Sequence, residues 1–146
     1  MTGARDRDVV ACERCGASLA PVRRPAASVA LGGVEVALPA RTVAACPRGH
    51  GRTEAADVRA ALARLTRARP GVRGGPRCGA CRAALDLPPR PTARGVTVAP
   101  AAAPPYTVEL RLPMVRCPDC AVDNVPVGLT TLLRRAVRTA VRTAVR

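Results

Sequence analysis

Cys12-Glu-Arg-Cys15 begins a pattern that occurs twice in this chain of 146 residues. In the first copy it is followed, after thirty residues, by Cys46-Pro-Arg-Gly-His50. The second copy reads Cys78-Gly-Ala-Cys81 and, after thirty-five residues, Cys117-Pro-Asp-Cys120. Each copy therefore offers four soft donor groups, which is the number that a tetrahedral Zn2+ site takes. The pattern predicts two metal sites, and we expect these sites to decide the fold.

The closing ligand differs between the two copies. Gly49 stands where Cys120 closes the second set, and the next residue, His50, is within reach of a metal. Two other arrangements remain open at the level of sequence, namely His50 on the surface and ligands shared between the copies. A thioredoxin-like redox pair or a rubredoxin-like iron site would also use C-x2-C. The predicted ligands are Cys12, Cys15, Cys46 and His50 for site 1, and Cys78, Cys81, Cys117 and Cys120 for site 2.

The composition favours a metal as the main source of stability. The chain has no Phe or Trp, Tyr106 is its only aromatic residue, and its apolar content is mostly Ala and Val. Units of about 70 residues built from such small side chains are marginal without help. Structural zinc supplies on the order of 10 kcal/mol per site in small fingers. We therefore expect two Zn2+ per chain.

The two copies are also similar between their cysteines. Cys15 aligns with Cys81, and after a Pro/Ala-rich insertion in the second copy Val34–Pro39 matches Val108–Pro113. Both segments continue to a Cys-Pro pair. The sequence predicts a small α+β, zinc-stabilised fold of two tandem zinc ribbons, each a short antiparallel hairpin sheet followed by a helix. The predicted divisions are 9–69 for ribbon 1 and its helix, 70–77 for a linker, and 78–146 for ribbon 2 and a basic helix.

Within each copy, alternating apolar residues predict hairpins. Residues 28–31 and 34–38 flank Gly32-Gly33, a pair typical of a tight turn. Residues 106–112 alternate in the same way, after a longer loop rich in Pro and Ala. We expect Pro39 and Pro113 to interrupt their strands at an edge or a bulge, because proline donates no ladder hydrogen bond. Helices are predicted over 53–69, ending before Pro70, and over 129–146.

The first copy resembles the zinc-ribbon group, and more narrowly the YgiT-type zinc finger of MqsA-like antitoxins. That finger also runs from C-x2-C-G through a hairpin ending in proline to Cys-Pro, a closing ligand and a helix. In those antitoxins the ribbon binds the toxin and a separate helix-turn-helix domain binds DNA. A second ribbon takes that place here, so the resemblance does not imply an antitoxin function. The matching residues are Cys12, Cys15, Gly16, Pro39, Cys46 and Pro47, and the second copy matches more loosely.

The carboxy-terminal segment predicts a basic amphipathic helix. From Gly128 onwards it has no acidic residue, and its arginines fall within an arc of about 120° at helical spacing. Leu and Ala gather on the opposite side, and three valines approach the arginine edge. Four roles are open for this helix at the level of sequence. It can dock on the second ribbon with its arginines solvated, bind phosphates, bind a partner helix, or lie on a membrane surface. The arginines are Arg134, Arg135, Arg138, Arg142 and Arg146.

The net charge and the lack of catalytic side chains limit the classes of function that we expect. A formal charge of +14, from 24 arginines and no lysine, suits a nucleic acid or an acidic protein partner. If the cysteines and His50 bind metal, no thiol or imidazole is left for catalysis, so we expect no enzyme and no small-molecule substrate. The leading hypothesis is a non-catalytic zinc-binding module that contacts nucleic acid through arginine–phosphate interactions. The alternative is a zinc-ribbon adaptor between proteins, or a small subunit of a larger complex.

The expected location is the cytoplasm. The first residues are charged and lack the apolar segment of a signal peptide. No stretch approaches the roughly 20 apolar residues that span a bilayer, so no membrane partner is expected. In a reducing compartment C-x2-C pairs favour metal over disulfides, and an odd cysteine count fits disulfides badly.

Overall fold

The computed structural model describes residues 10–50, 52–100 and 102–145. In this part of the chain seven strands, paired antiparallel, and two helices form an α+β fold, as predicted. The elements are β1 (Ala20–Arg24), β2 (Ala27–Leu31), β3 (Val34–Leu38), β4 (Arg41–Ala45), α1 (Arg52–Leu62), β5 (Arg90–Val98), β6 (Tyr106–Arg116), β7 (Asp123–Asn124) and α2 (Leu129–Val145).

The first copy contains the predicted hairpin around Gly32-Gly33. Both glycines have positive φ, 54° and 84°, which suits a two-residue turn and which other residues rarely adopt. The β2–β3 ladder continues in the same register into β1 and β4 after a break at Pro25 and Pro39. The predicted interruption at Pro39 is therefore confirmed.

The second copy is one longer and uninterrupted hairpin. Its ladder runs from Arg90 opposite Met114 to Val98 opposite Tyr106, and the connection over 99–105 is longer than in the first copy, as expected. The predicted interruption at Pro113 is wrong, because Pro113 lies inside β6 opposite Pro91. Pairing of β6 with β3 ends at Arg111, so no neighbouring strand requires an N–H from Pro113.

The two hairpins join into one sheet through β3 and β6, in the strand order β2-β3-β6-β5. Val36 lies opposite Leu110, its own equivalent in the repeat, and Glu35 lies opposite Arg111 while Ala37 lies opposite Glu109. These pairs exchange equivalent positions of the two copies. A local twofold axis therefore passes through the Val36–Leu110 pair, and the chain forms an internal dimer of its own repeat. The sequence alone did not predict this pairing.

Both helices lie on the same sheet but on the hairpin of the other copy. α2 packs against β2 and β3, and α1 contacts β5 as well as β4 and α2. The hypothesis that α2 docks on its own ribbon is therefore wrong. Inward residues of β3, β5, β6, α1 and α2 form a single core across both copies, which includes Val36, Val58, Val108, Leu110 and Val137.

The first helix ends earlier than predicted. We expected it to reach residue 69, but α1 ends at Leu62. The backbone beyond it bonds to the second copy instead: Ala68 N–H donates to the Val125 carbonyl and Val125 N–H donates to the Thr66 carbonyl, each at 2.9 Å. Arg69 and Arg77 exchange two further bonds of 2.8 and 2.7 Å. These non-local partners replace the helical ones, which explains why local periodicity overestimated the helix.

A buried ionic cluster links the base of the first hairpin to α1. Glu54 accepts from Arg41 and lies 3.5 Å from Arg24 Nε. Arg41 also donates to the Pro39 carbonyl at 3.1 Å, and its guanidinium lies 5.5 Å from the centre of the Tyr106 ring. The cluster therefore connects three segments of the first copy to β6 of the second. Within the described chain Glu54 is the only acidic residue that pairs with the buried Arg41 and the partly buried Arg24.

We expect Glu54→Gln to lower the free energy of unfolding by about 3–5 kcal/mol, because the buried Arg41 and the partly buried Arg24 then lack a counter-charge. Urea unfolding followed by circular dichroism measures the change. The control is Glu109→Gln, an exposed position opposite Ala37 and Gly95, where we expect about 0.5 kcal/mol or less. Equal effects of the two substitutions would show that the ionic cluster contributes no special stability.

Candidate metal centres

Three of the four ligand segments adopt the same backbone turn. In each, the N–H of the first cysteine donates to the carbonyl five residues later, and its own carbonyl accepts from the N–H four residues later. These bonds are 2.8 to 3.0 Å long. The turn brings both side chains of a C-x2-C pair to one side, where both sulfurs can reach one ion. The first cysteines are Cys12, Cys78 and Cys117.

The residue after the second cysteine has positive φ in all three turns. It is 71° at Gly16, 66° at Arg82 and 60° at Ala121. A left-handed conformation at a non-glycine residue costs roughly 1–2 kcal/mol. The lack of glycine in the second copy therefore does not prevent the turn, but the surrounding contacts have to offset that cost.

The fourth segment reaches the same result by a shorter turn. Gly49 has a φ of 83°, and its N–H donates to the Cys46 carbonyl at 3.0 Å. This directs His50 inwards, so that its Nδ1 lies 3.5 Å from Cys12 Sγ and 3.5 Å from Cys46 Sγ. The structure thus places His50 with the three cysteines of its own copy rather than on an open surface.

The distances between donor atoms suit a tetrahedral metal. Within each set all four donor atoms lie within 4.8 Å of one another. The Sγ–Sγ distances are 3.4 Å for Cys15–Cys46, 3.4 Å for Cys81–Cys117 and 3.7 Å for Cys78–Cys120. Zinc–ligand bond lengths imply edges of roughly 3.8 Å between sulfurs and 3.5 Å between sulfur and nitrogen. A disulfide needs about 2.05 Å, and all seven cysteines are free. The two sets can hold two metal ions, one in each copy.

The second set has a neighbour that the sequence pattern did not reveal. Asn124 in β7 is fully buried, and its Nδ2 donates to Cys78 Sγ at 3.4 Å and to the Val122 carbonyl at 3.1 Å. Its Oδ1 accepts from Gly79 N–H at 2.9 Å. One amide thereby fixes both the sulfur and the backbone of the Cys78 turn. The available signal was weak: Asn is disfavoured in strands, so an Asn beside a ligand pair suggests a side-chain role.

Hydrogen bonds and neighbouring thiols give the cysteines of this set different pKa values. The backbone N–H of Cys81 and the Asn124 amide hold the pKa of Cys78 at about 6, against the effect of burial. A backbone hydrogen bond at Ala83 lowers the pKa of Cys81, but hydrogen bonding to Cys117 and burial outweigh it and raise that pKa to about 12. Adjacent thiols resist ionising together. A divalent cation removes this conflict by compensating the charge of all four.

The surroundings of the two sets differ. A cleft of about 770 Å³ opens beside the first, lined by Cys12, His50, Asp57 and Arg59 among others. Burial, and then the charge of Glu54, raise the pKa of Asp57. In the second set the buried Cys78 and Cys117 pack with Ala68, Leu85 and Val115, whereas Cys81 is exposed.

The predicted arginine face lies on α2, a helix that contains none of the ligands. Its arginines are exposed and, in the described chain, make no ion pair. Two of the three valines belong to the buried side rather than to the arginine edge: Val137 and Val141 lie in the core with Leu133, Ala136 and Ala140. The side chain of the third, Val145, is outside the described part of the chain. Arg146 is outside the described residues. The exposed arginines are Arg134, Arg135, Arg138 and Arg142.

Comparisons with protein-family models, with curated proteins and with solved structures give no match to this chain. Neither described helix is long and apolar enough to cross a membrane. The geometry of the two ligand sets and the surfaces around them are therefore the basis for inferring function.

We expect Asn124→Ala to weaken metal binding at the second set by roughly 10- to 100-fold, the effect usual for a residue that orients a ligand. Titration with a chromogenic chelator measures both sites in one experiment, and the first site should keep its affinity. Asp123→Asn is the control, because Asp123 is the adjacent residue and its carboxylate pairs with Arg94 rather than with a ligand. Unchanged affinity in Asn124→Ala would show that this amide does not support the site.

Proposed function

We propose that this protein is a non-catalytic module of two tandem zinc ribbons that binds nucleic acid through the arginine surface of α2. The arginine surface comprises Arg134, Arg135, Arg138 and Arg142. The observation that carries the proposal is that α2 buries one face in the core and presents four exposed arginines on the other. The metal sites supply the rigidity on which this surface depends.

Zinc is the metal that best suits the donors. Sets of four cysteines, or of three cysteines and a histidine, with tetrahedral spacing are typical of closed structural zinc sites. Soft thiolates also disfavour magnesium and calcium, which prefer oxygen ligands. In each copy the ligand turns stand at the base of a hairpin, as in a zinc ribbon.

The same ligand sets argue against catalysis. They take every cysteine and the only histidine of the chain, and a site closed by four protein ligands has no open position for substrate or water. The cleft beside the first set is lined by Cys12 and His50, whose donor atoms already face the other ligands. Glu13 and Asp57 are the acids that line this cleft, and neither has a histidine or thiol left to work with.

Phosphate contact is the chemistry that the arginine surface can offer. The hydroxyls of Thr139 and Thr143 on this side of α2 donate to carbonyls of their own helix, at 2.9 and 2.8 Å. Tyr106, the one aromatic side chain, is half-buried beside Arg41 and cannot act as a stacking platform. Even with seven thiolates and two Zn2+ counted, the formal charge is about +11. Sequence-independent binding to duplex backbone is therefore expected.

The metal prediction is that purified protein carries two Zn2+ per chain, and that strong chelation removes most of its ordered structure. Elemental analysis and circular dichroism measure the two quantities. His50→Ala should weaken only the first site, because its imidazole is directed at Cys12 and Cys46. An intact fold with one zinc or none would contradict the two-site proposal, and normal occupancy in His50→Ala would remove His50 from the ligand set.

The binding prediction concerns Arg134, Arg138 and Arg142 on one side of α2. Replacing all three by Gln should weaken binding to unrelated duplexes to a similar extent. The slope of log affinity against log salt should become shallower by roughly 0.9 for each phosphate that the variant no longer neutralises. Fluorescence anisotropy at several salt concentrations measures both, and zinc content should not change.

A charge-matched control distinguishes direct binding by α2 from the effect of the protein's overall positive charge. Arg69, Arg73 and Arg77, exposed residues outside α2, are replaced by Gln in a second triple variant, whose affinity should fall much less. Equal reductions in the two variants would show that α2 is not the binding surface. Absence of binding by the parent at low salt would refute the nucleic-acid proposal and leave the adaptor function.

A further inference from the structure

A second surface of the chain has a different chemistry from the arginine surface. Beside the second ligand set lies an open groove of about 390 Å³, and no charged residue lines it. Its floor contains Leu85 and Val115, and Leu87 and Val127 stand along it with four prolines. We call these residues the apolar groove. In a chain with 23% charged residues such a surface is unusual.

Two of the three exposed large hydrophobic side chains of the described residues line this groove, and the third stands on a loop whose two ends line it. Leu87 and Val127 line it and are each 52% exposed, and Val72 is fully exposed on the loop between Gly71 and Gly75. That loop is tight, because a Cβ at Gly71 would come within 2.1 Å of the Gly75 carbonyl oxygen. Clustering of exposed apolar residues marks interaction sites, whereas isolated ones need no explanation.

The second ligand set supports the floor of the groove. Leu85, Val115 and Ala68 pack in one buried cluster with Cys78 and Cys117. The groove is thus held between the ligand turns and the extended segment that follows α1. Its shape is built into the fold rather than formed by a loose loop.

The charges around the groove indicate the chemistry of its occupant. Four exposed arginines adjoin its lining residues along the chain, and a fifth, Arg73, lies midway between Gly71 and Gly75. Asp86 is the one exposed acid that adjoins a lining residue. A second copy of this chain would bring the same positive charges to the contact, which opposes self-association through this surface. An acidic partner would be attracted. The arginines are Arg69, Arg73, Arg77, Arg90 and Arg116.

We propose that the apolar groove binds a segment of a partner protein in which one or two large apolar side chains are flanked by Asp or Glu. The apolar side chains fill the groove between Leu87 and Val127, and the acids meet the surrounding arginines. This surface is separate from the arginine surface of α2, so the protein can hold an acidic partner and a nucleic acid through different residues. Binding at the groove does not depend on the proposed nucleic-acid binding.

The test is selection from a library of random 12-residue peptides displayed on phage, with the zinc-loaded full chain as target. The double variant Leu87→Ser/Val127→Ser serves for counter-selection. Both positions are half exposed, so the fold should persist, and zinc content and circular dichroism verify this. Enriched peptides should combine large apolar residues with Asp or Glu. As synthetic peptides they should bind the parent at least about tenfold more tightly than the double variant.

Two controls make the result specific. Ala30→Ser/Ala93→Ser, at exposed positions of β2 and β5, should bind the selected peptides as the parent does. The triple variant at Arg134, Arg138 and Arg142 should also bind them, which separates this inference from the nucleic-acid proposal. The proposal is overturned if no peptide is selected, if selected peptides lack acids or bind the double variant equally well, or if sedimentation shows that the groove instead joins two copies of the chain.

Discussion

The antiparallel pairing of β3 with β6 is the contact on which the rest of this structure depends. Because Val36 lies opposite its own repeat equivalent, Leu110, the two copies are related by a local twofold axis and share one sheet. The same pairing places the bases of the two hairpins, and therefore the two ligand sets, at opposite ends of that sheet. It also allows each helix to reach the hairpin of the other copy and to close a common core of small apolar residues.

The ligand turns share one backbone geometry despite different residues at the same position. Three turns have the same hydrogen bonds although glycine follows the second cysteine in only one of them. Arg82 and Ala121 adopt a left-handed conformation at a cost that the surrounding contacts must offset. In the second copy Asn124 adds a further constraint, since its amide orients both the Cys78 sulfur and the turn that carries it.

The two proposed surfaces arise where the two copies differ, in the segments that follow their ligand sets. After the first set of ligands the chain enters α1 almost at once, whereas after the second it forms β7 and a turn before α2. That extra segment pairs with the residues that follow α1, and the apolar groove forms beside it. α2 then presents its arginines on the side away from the core. One surface suits phosphate, and the other suits an acidic segment with apolar anchors.

The sequence by itself determined the local features: the two sets of donors, the Gly32-Gly33 turn, the alternation in β6 and the start of α2. Each depends on residue spacing or on backbone preferences over a few residues. Only the tertiary structure decided the end of α1, the continuity of β6 through Pro113, the roles of Asn124 and Glu54, and the pairing of β3 with β6. In each of these cases the deciding partner is far away in the chain, as Val125 is from Thr66 and Leu110 is from Val36. A local sequence pattern cannot indicate such partners. These interactions stabilise the chain only once folding has brought the two distant segments together.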